Sequence, residues 1–386
     1  MSKDLRRIVT IGPAYPFRGG IAHYTSLLLK ELSISYEVTC VSYKRMYPKF
    51  LYPGKIQTDD SNDFLRHEDT RFLIDTINPF TYFSAASAIR RMSPDLIVFH
   101  WWHPFFAPAY IAMLSRLRKD HKIIICCNNV LPHDRFPLAR FLTKQVLSRA
   151  DGYLVHSIGE EKELLSLRNP ALFERNVCPV IDVSPPTDLS KSDARLAIGI
   201  PGDAEVLLFF GFVRSYKGLR YLLEALPAIC ASRPHAHLLI VGDFYEDKEI
   251  YQRIIRECNL ENRITIVDSY VPDKEIAKYF IASDLTVLPY ESATTSGVIP
   301  ISYRYRVPVV ATRVGGLPEA VEDGVTGYLV EPCQVEPLAQ AVIKYFDKDD
   351  YERFVRGIDA MYDRYSWRRI VEKIEKIWDR INSNEK

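Results

Sequence analysis

Short runs of consecutive apolar residues, many of them β-branched, recur along the whole chain, and between them apolar positions fall three or four apart. The runs in the first half are Arg7–Gly12, Tyr36–Ser42, Asp95–His100, Lys122–Cys127 and Asp151–Ser157. Those in the second half are Glu205–Gly211, Ala236–Gly242, Arg263–Asp268, Asp284–Pro289, Val307–Thr312 and Val325–Val330. Continuous rather than alternating apolar runs predict strands covered on both faces. Their interleaving with helical periodicity predicts doubly wound parallel sheets. Leu219, Leu222, Leu223, Leu226, Ile229 and Cys230 make one helical stripe, and Trp367, Ile370, Val371, Ile374, Ile377, Trp378 and Ile381 give the last helix an apolar face that must dock. Residues 43–78 show no convincing period and read as a long loop.

Composition turns this pattern into two domains. The chain has 386 residues, more than the roughly 250–300 over which a single core keeps growing. The segment Ile181–Asp193 carries paired prolines among polar residues and cannot continue a strand or helix, so it reads as the hinge. Residues 1–185 hold 24 Lys+Arg against 18 Asp+Glu (+6), and residues 186–386 hold 26 against 31 (−5). Halves of opposite sign fit an α/β protein of two Rossmann-like domains facing across a cleft. The expected domains are 1–185 and 186–366.

The formal net charge of +1 argues against a protein that grips nucleic acid by counterion release. Seven cysteines without a CxxC pair read as a reducing, cytoplasmic setting rather than a disulfide framework. The basic start meets Gly12 and Pro13 too soon for a signal-peptide core. Leu96–Leu114 has no charged residue over 19 positions, but His100, His103, Pro104 and Pro108 at its centre favour a buried strand and helix over a membrane span.

Candidate chemistry lies at strand–loop–helix junctions, because ligands of open parallel sheets bind at strand carboxyl ends. Gly19 and Gly20 precede a helix and let a phosphate or sugar approach backbone closely. Gly211-Phe-Val-Arg214-Ser-Tyr-Lys217-Gly218 places two cations in a turn after a strand, a pattern suited to a diphosphate. Glu291-Ser-Ala-Thr294-Thr295-Ser296-Gly297 follows the next such strand and either caps a helix or presents N–H and O–H groups to a ligand. His100 and His103 end one strand, and Asn128, Asn129, His133 and Asp134 follow another. These residues read as a substrate crevice, with Trp101 or Trp102 packing on sugar rings or in the core. GxGxxG, P-loop, HExxH and GxSxG patterns are absent, which removes the main support for dinucleotide oxidoreduction, NTP hydrolysis, zinc proteolysis and esterase chemistry. The single DxD, Asp347 to Asp349, has no preceding strand to aim it at a metal and reads as solvated loop.

The order of Gly19-Gly20, FFGFVRSYKG, IVDSYVPDKEI, LPYESATTSGV, VPVVATRVGGLPEAVEDGVTGYLVEP and a tryptophan-bearing last helix resembles the family-four retaining glycosyltransferases over nearly the whole chain. Its most specific piece is Val307–Pro332. The resemblance implies the B-type fold, an acceptor-binding first domain, a nucleotide-sugar-binding second domain, and a last helix, 367–386, that crosses back to the first. It places Gly19 and Gly20 near the donor diphosphate, Lys217 on the phosphates, and Thr294, Thr295, Ser296 and Gly297 around sugar and phosphate. Three positions depart from the pattern. Phe212 stands where the family has arginine, leaving Arg214 to substitute; Ala293 and Ile301 replace its two glutamates, with Glu291 two residues upstream; and Asn128 replaces the histidine that meets the transferred sugar. SGVIPISY in place of the two-glutamate motif resembles a subgroup of that family.

The resulting expectation is a metal-independent retaining hexosyltransferase. Its donor is a nucleotide diphosphate sugar, with no cofactor, and its acceptor a saccharide or lipid-linked saccharide of cell-surface polysaccharide assembly. His100, His103 and Asn128 are the candidate catalytic residues; Gly19, Gly20, Arg214, Lys217, Glu291 and 294–297 are the donor contacts. The alternatives are a nucleotide-sugar epimerase of the same fold and a degenerate binding partner. Between Arg90 and Arg149 ten Lys+Arg face three acids. Arg140 and Lys144 share a helix face beside Leu138, Phe141, Leu142 and Val146, which suits either an anionic membrane surface, making the enzyme peripheral, or a solvated helix over a core.

Overall fold

The computed structural model describes residues 5–48, 57–58, 63–132, 136–180, 187–348 and 350–383, apart from the Asp273 side chain. The chain forms two compact units, Met1–Ile181 with Ser366–Lys386, and Asp182–Tyr365.

In the first unit the order is β1 (Arg7–Ile11), α1 (Gly20–Leu32), β2 (Glu37–Arg45), β3 (Thr70–Asp75), α2 (Pro79–Met92), β4 (Leu96–Trp101), α3 (Ala107–Leu117), β5 (Lys122–Cys127), α4 (Ala139–Leu147), β6 (Gly152–Val155), α5 (Ile158–Leu167) and β7 (Phe173–Arg175). The sheet is parallel throughout, in the order β3-β2-β1-β4-β5-β6-β7. Alternation along β4 shows why its run is continuously apolar. Ile97, Phe99 and Trp101 face one core, whereas Leu96 and Val98 face the other. Leu96–Leu114 is thus a buried strand and the start of a helix, as its histidines and prolines predict.

The second unit runs α6 (Lys191–Ile198), β8 (Glu205–Phe210), α7 (Leu219–Ser232), β9 (Ala236–Val241), α8 (Glu249–Glu257), β10 (Ile264–Val267), α9 (Ile276–Ala282), β11 (Leu285–Leu288), α10 (Val298–Arg304), β12 (Val309–Thr312), α11 (Leu317–Ala320), β13 (Gly327–Val330), α12 (Val335–Asp347) and α13 (Tyr351–Met361). Its parallel sheet has the order β10-β9-β8-β11-β12-β13. The chain reverses direction across each sheet at one place, between β1 and β4 and between β8 and β11, and such switch points open a crevice at the strand carboxyl ends.

The last helix, α14 (Trp367–Ser383), belongs to the first unit. Ile370, Ile374, Ile377, Trp378 and Ile381 are buried against β5, β6, β7 and α1, and each such side chain stabilises by about 1.5–3 kcal/mol when fully buried. Gly152 lets the helix seat, since a Cβ there would lie 2.3 Å from Ile377 Cγ2. Lys373, Lys376 and Arg380 converge on the buried Glu174 at 2.9, 3.0 and 3.2 Å.

The segment 43–78 departs from expectation. β2 continues to Arg45, a 3-10 turn covers Asp63–Leu65, and β3 pairs with β2. The short strand β7 also lacks a counterpart in the sequence reading.

Candidate functional site

In the second unit β8 ends at Phe210, and Gly211 turns the chain with φ +103°, a region that favours glycine. Ser215–Lys217 makes a 3-10 turn and Gly218, φ +66°, starts α7. A Cβ on Gly218 would sit 2.0 Å from Pro289 O, so this turn and the one after β11 touch backbone to backbone. Glu291 N–H donates to Tyr216 O at 2.7 Å across the same contact.

The turn brings Lys217 Nζ back over Gly211, where a Cβ would lie 2.9 Å from it. Burial pushes the Lys217 ammonium below its usual pKa, and nearby Arg214 pushes the same way. Its ammonium lies 5.5 Å from the Tyr290 ring centroid. Among the described residues neither Lys217 nor Arg214 has a carboxylate within ion-pair distance. Arg220 is engaged with Glu291 at 3.4 Å. The structure therefore brings Arg214, Lys217 and Glu291 to one switch point, with Glu291 committed to an arginine.

After β11, Tyr290 O accepts from Thr312 Oγ1 at 2.6 Å, and Thr294 O accepts from Gly316 N–H at 2.8 Å. Ser296 Oγ accepts from Val298 N–H at 3.3 Å, the cap-like contact expected of a small hydroxyl at a helix start. Thr294 and Thr295 are half-buried, and a Cβ on Gly297 would meet nothing within 4 Å. Asp347 of the DxD pairs with Arg233 at 3.0 Å, and Asp349 lies outside the described residues.

In the first unit Gly19, φ +102°, and Gly20 lead into α1, and a Cβ on either would meet open space. The polar residues of the neighbouring strands behave differently. His100 is 0% exposed, packed on Gly12 and edge-on to Tyr24 at 5.7 Å. Burial depresses its pKa to about 3, partly opposed by Asn128 and reinforced by His156. The candidate His100 is thus an enclosed ring of β4. His103 is half-buried, and its Nδ1 accepts from Phe105 N–H at 3.1 Å, capping a 3-10 turn. Asn128 is half-buried, and its N–H donates to Trp101 O at 2.8 Å. Trp101 and Trp102 are core residues, their indole N–H groups donating to Val130 O at 3.1 Å and Tyr47 Oη at 3.3 Å. His133 and Asp134 lie outside the described residues.

Two residues escaped the sequence reading. His156 directly follows β6, His100 is the penultimate residue of β4, and Tyr24 of α1 lies edge-on to both imidazoles and to Trp367. Burial depresses His156 to about 4. The signal was present, since Asn128 and His156 directly follow the adjacent strands β5 and β6, and His100 lies near the end of β4.

Among the described residues no helix is long and apolar enough to cross a membrane. Residues 204–348 match the sequence profile of the family described as Glycosyl transferases group 1. The chain is 29% identical over 234 residues to the D-inositol 3-phosphate glycosyltransferase of Saccharomonospora viridis, covering 58% of this chain and 54% of that one. It is 27% identical over 257 residues to the enzyme of the same name from Corynebacterium glutamicum, covering 64% and 61%. It thus spans about half to three fifths of the length of these curated relatives. Among solved structures, sucrose-phosphate synthase from Thermosynechococcus elongatus superposes with TM-score 0.72 at 19% identity over 98% of this chain and 100% of that one. Anabaena HepE in complex with UDP superposes with TM-score 0.74 at 16% identity over 97% and 100%. The chain has the fold of these structures, two parallel-sheet α/β domains of the glycosyltransferase B type, and its residues 204–348 form a Glycosyl transferases group 1 domain.

Proposed function

We propose that this protein is a retaining hexosyltransferase that moves a sugar from a nucleotide diphosphate sugar to a hydroxyl of a saccharide or lipid-linked saccharide in cell-surface polysaccharide assembly. The observation that carries the reading is Lys217. A half-buried ammonium with no carboxylate partner among the described residues is costly unless an anion completes it, and Arg214 in the same turn doubles the charge. The curated relatives are glycosyltransferases by name, and HepE was solved with UDP and with UDP-glucose.

On this reading the bond from the anomeric carbon to the diphosphate oxygen loosens first, and Arg214 and Lys217 stabilise the charge growing on the leaving group. The acceptor hydroxyl attacks from the same face and its proton passes to the departing phosphate oxygen. Configuration is kept without a protein nucleophile, and with two cations on the diphosphate we assign no role to a metal or cofactor. Thr294, Thr295, Ser296 and Gly297 lie beside the donor, Gly19 and Gly20 offer the first unit's open backbone, and His103 and Asn128 are its half-buried polar candidates. Leu138 and Phe141 are 71% and 58% exposed beside Arg140 and Lys144, which supports a cytoplasmic enzyme lying on an anionic membrane surface.

Incubation with a panel of nucleotide sugars and saccharide acceptors, read by NMR with and without EDTA, tests the reading. Retained anomeric configuration and EDTA-resistant transfer are expected. An inverted product, an epimerised donor, or loss in EDTA restored by Mg²⁺ each overturns the corresponding part. Sedimentation with anionic vesicles at low salt tests the membrane surface, and failure to bind them removes it.

A further inference from the structure

The second unit holds a cavity of about 400 Å³ at the amino ends of β8 and β11, the end of the sheet opposite the Lys217 turn. Its volume falls in the range of small-molecule sites, roughly 300–1,000 Å³. Glu205 of the lining opens β8 and Phe210 closes it, so at about 3.3 Å per residue the two ends lie roughly 17 Å apart. A small molecule held here touches none of the groups at the Lys217 turn.

The lining is charged, but its charges are paired. Lys191 and Arg195 both meet Asp284, the second at 2.7 Å, and Arg233 meets Glu205 and, at 3.0 Å, Asp347. The other two acids, Asp203 and Asp350, lie against His235 at 2.9 Å and Arg353 at 2.7 Å. A phosphate therefore finds no cation in the lining free of a carboxylate, and a polyamine finds the acids occupied in turn. The walls are also braced. Asp284 accepts from Val206 N–H at 2.7 Å, Arg195 donates to Ala282 O at 3.0 Å and Gly202 O at 2.6 Å, and Tyr345 Oη donates to Asp284 O at 2.9 Å. Groups held this way lose little freedom when a ligand arrives.

What the pairs leave is hydrogen-bonding edges. On Arg233 the nitrogens Nη1 and Nη2 each carry a second N–H beyond the one spent on Asp347 or Glu205, and the carboxylates keep further lone pairs. Donors and acceptors side by side match hydroxyl groups, which both donate and accept. Aromatic surface completes the wall. Tyr351 is 39% exposed, and Phe346 is half-buried with the Arg233 guanidinium carbon 5.6 Å from its ring centroid. Such rings offer an apolar face beside a polar edge. A molecule dense in hydroxyls, uncharged and with one C–H face meets all of these walls. We propose that the cavity is a second carbohydrate site, holding a neutral sugar residue by its hydroxyls on Arg233 and Glu205 and by its apolar face on Tyr351. This inference goes beyond the transfer reading and does not depend on it. Where transfer also holds, the site keeps an unreacting part of a saccharide chain on the enzyme and raises the effective concentration of the rest.

Calorimetric titration of the intact protein with maltopentaose, cellopentaose, inorganic phosphate and spermidine, each with and without saturating UDP, tests the site. At least one of the two neutral oligosaccharides is expected to bind, undisturbed by UDP. Tyr351→Ala should weaken that binding roughly 2- to 12-fold, the range for one aromatic contact, while Tyr351→Phe keeps it. Binding of neither oligosaccharide overturns the proposal, and phosphate or spermidine bound in their place makes the cavity a charged-ligand site. Displacement by UDP also overturns it, since the sugar then sits at the Lys217 turn. So does unchanged affinity in Tyr351→Ala protein whose melting midpoint shows it folded. Should that variant fail to fold, Arg233→Lys decides: it keeps the charge beside Glu205 and loses the planar fork, and unchanged affinity there overturns the site. Failure of UDP itself to bind bears on the Lys217 reading alone.

Discussion

The two switch points use the same topology for opposite ends. In the second unit the turns after β8, β9, β11 and β12 press backbone to backbone through Gly218, Gly242 and Gly315, and the turn after β8 holds Arg214 and Lys217 without carboxylate partners among the described residues. In the first unit a Cβ on Gly19 or Gly20 would meet nothing within 4 Å, and the strand-end imidazoles of His100 and His156 are enclosed and neutral. One junction is rigid and positively charged; the other combines open backbone with uncharged interior groups.

Rigidity in the second unit can be broken at Gly315. Its φ is +51°, and a Cβ there would lie 1.7 Å from Ala293 O, so alanine brings both left-handed strain and a backbone clash. Gly315→Ala is expected to destabilise the protein by about 2–5 kcal/mol, combining roughly 1–2 for the conformation with 1–3 for overpacking. Urea unfolding measures it, and a loss below 1 kcal/mol would mean that the turns after β11 and β12 are not braced on each other.

The charge on that side is tested by Lys217→Ala. It removes an ammonium that packs over Gly211 and pairs with no acid among the described residues, so little stability is lost. Binding of a nucleotide diphosphate is expected to weaken by about 1.5–3 kcal/mol, the range for hydrogen bonds to charged groups. Unchanged affinity in calorimetry takes Lys217 out of the site.

Much of this division was legible in the residues. Buried parallel strands leave continuous apolar runs, and the glycines and cations just past those runs mark the switch points. Two strands were hidden for one physical reason: β3 and β7 are the edges of the first sheet. In β3 only Ile74 is buried, so TRFLID carries no continuous run, and β7 spans only three residues. The burial of His100 was hidden differently. Alternation with Leu96 and Val98 assigns its face, but the cover comes from Tyr24 on α1, remote in sequence and itself packed on Trp367 of α14.

The neutral character of the first unit has a pH signature. His100 and His156 are held at about 3 and about 4 against an ordinary value of 6.5. Below pH 6.5 the unfolded chain takes up protons that these native rings refuse, so stability is complete above 6.5 and falls as pH drops toward 4. At pH 5 the loss is at most about 2 kcal/mol for each ring. Urea midpoints at pH 7.5 and 5.0 measure the slope, and His156→Gln should flatten part of it. An unaltered slope in that variant would show that His156 titrates normally.

The smallest change in stability is expected at Gly20, and it is the sharpest probe of the comparison. Gly20 opens α1, is exposed, and has helical neighbours with nothing in the space a Cβ would fill. Alanine there loses less backbone entropy than glycine, so Gly20→Ala should leave the unfolding midpoint unchanged or raise stability by up to about 1 kcal/mol. If the open backbone exists for the protein's own folding, that gain is the whole effect. If it exists for a ligand that comes closer than a methyl group allows, nucleotide-sugar binding or transfer falls while stability holds. Paired measurements on one variant decide it: intact transfer in a stable Gly20→Ala protein removes Gly19-Gly20 from the site, and loss of both stability and transfer would mean that the space is filled by the chain itself.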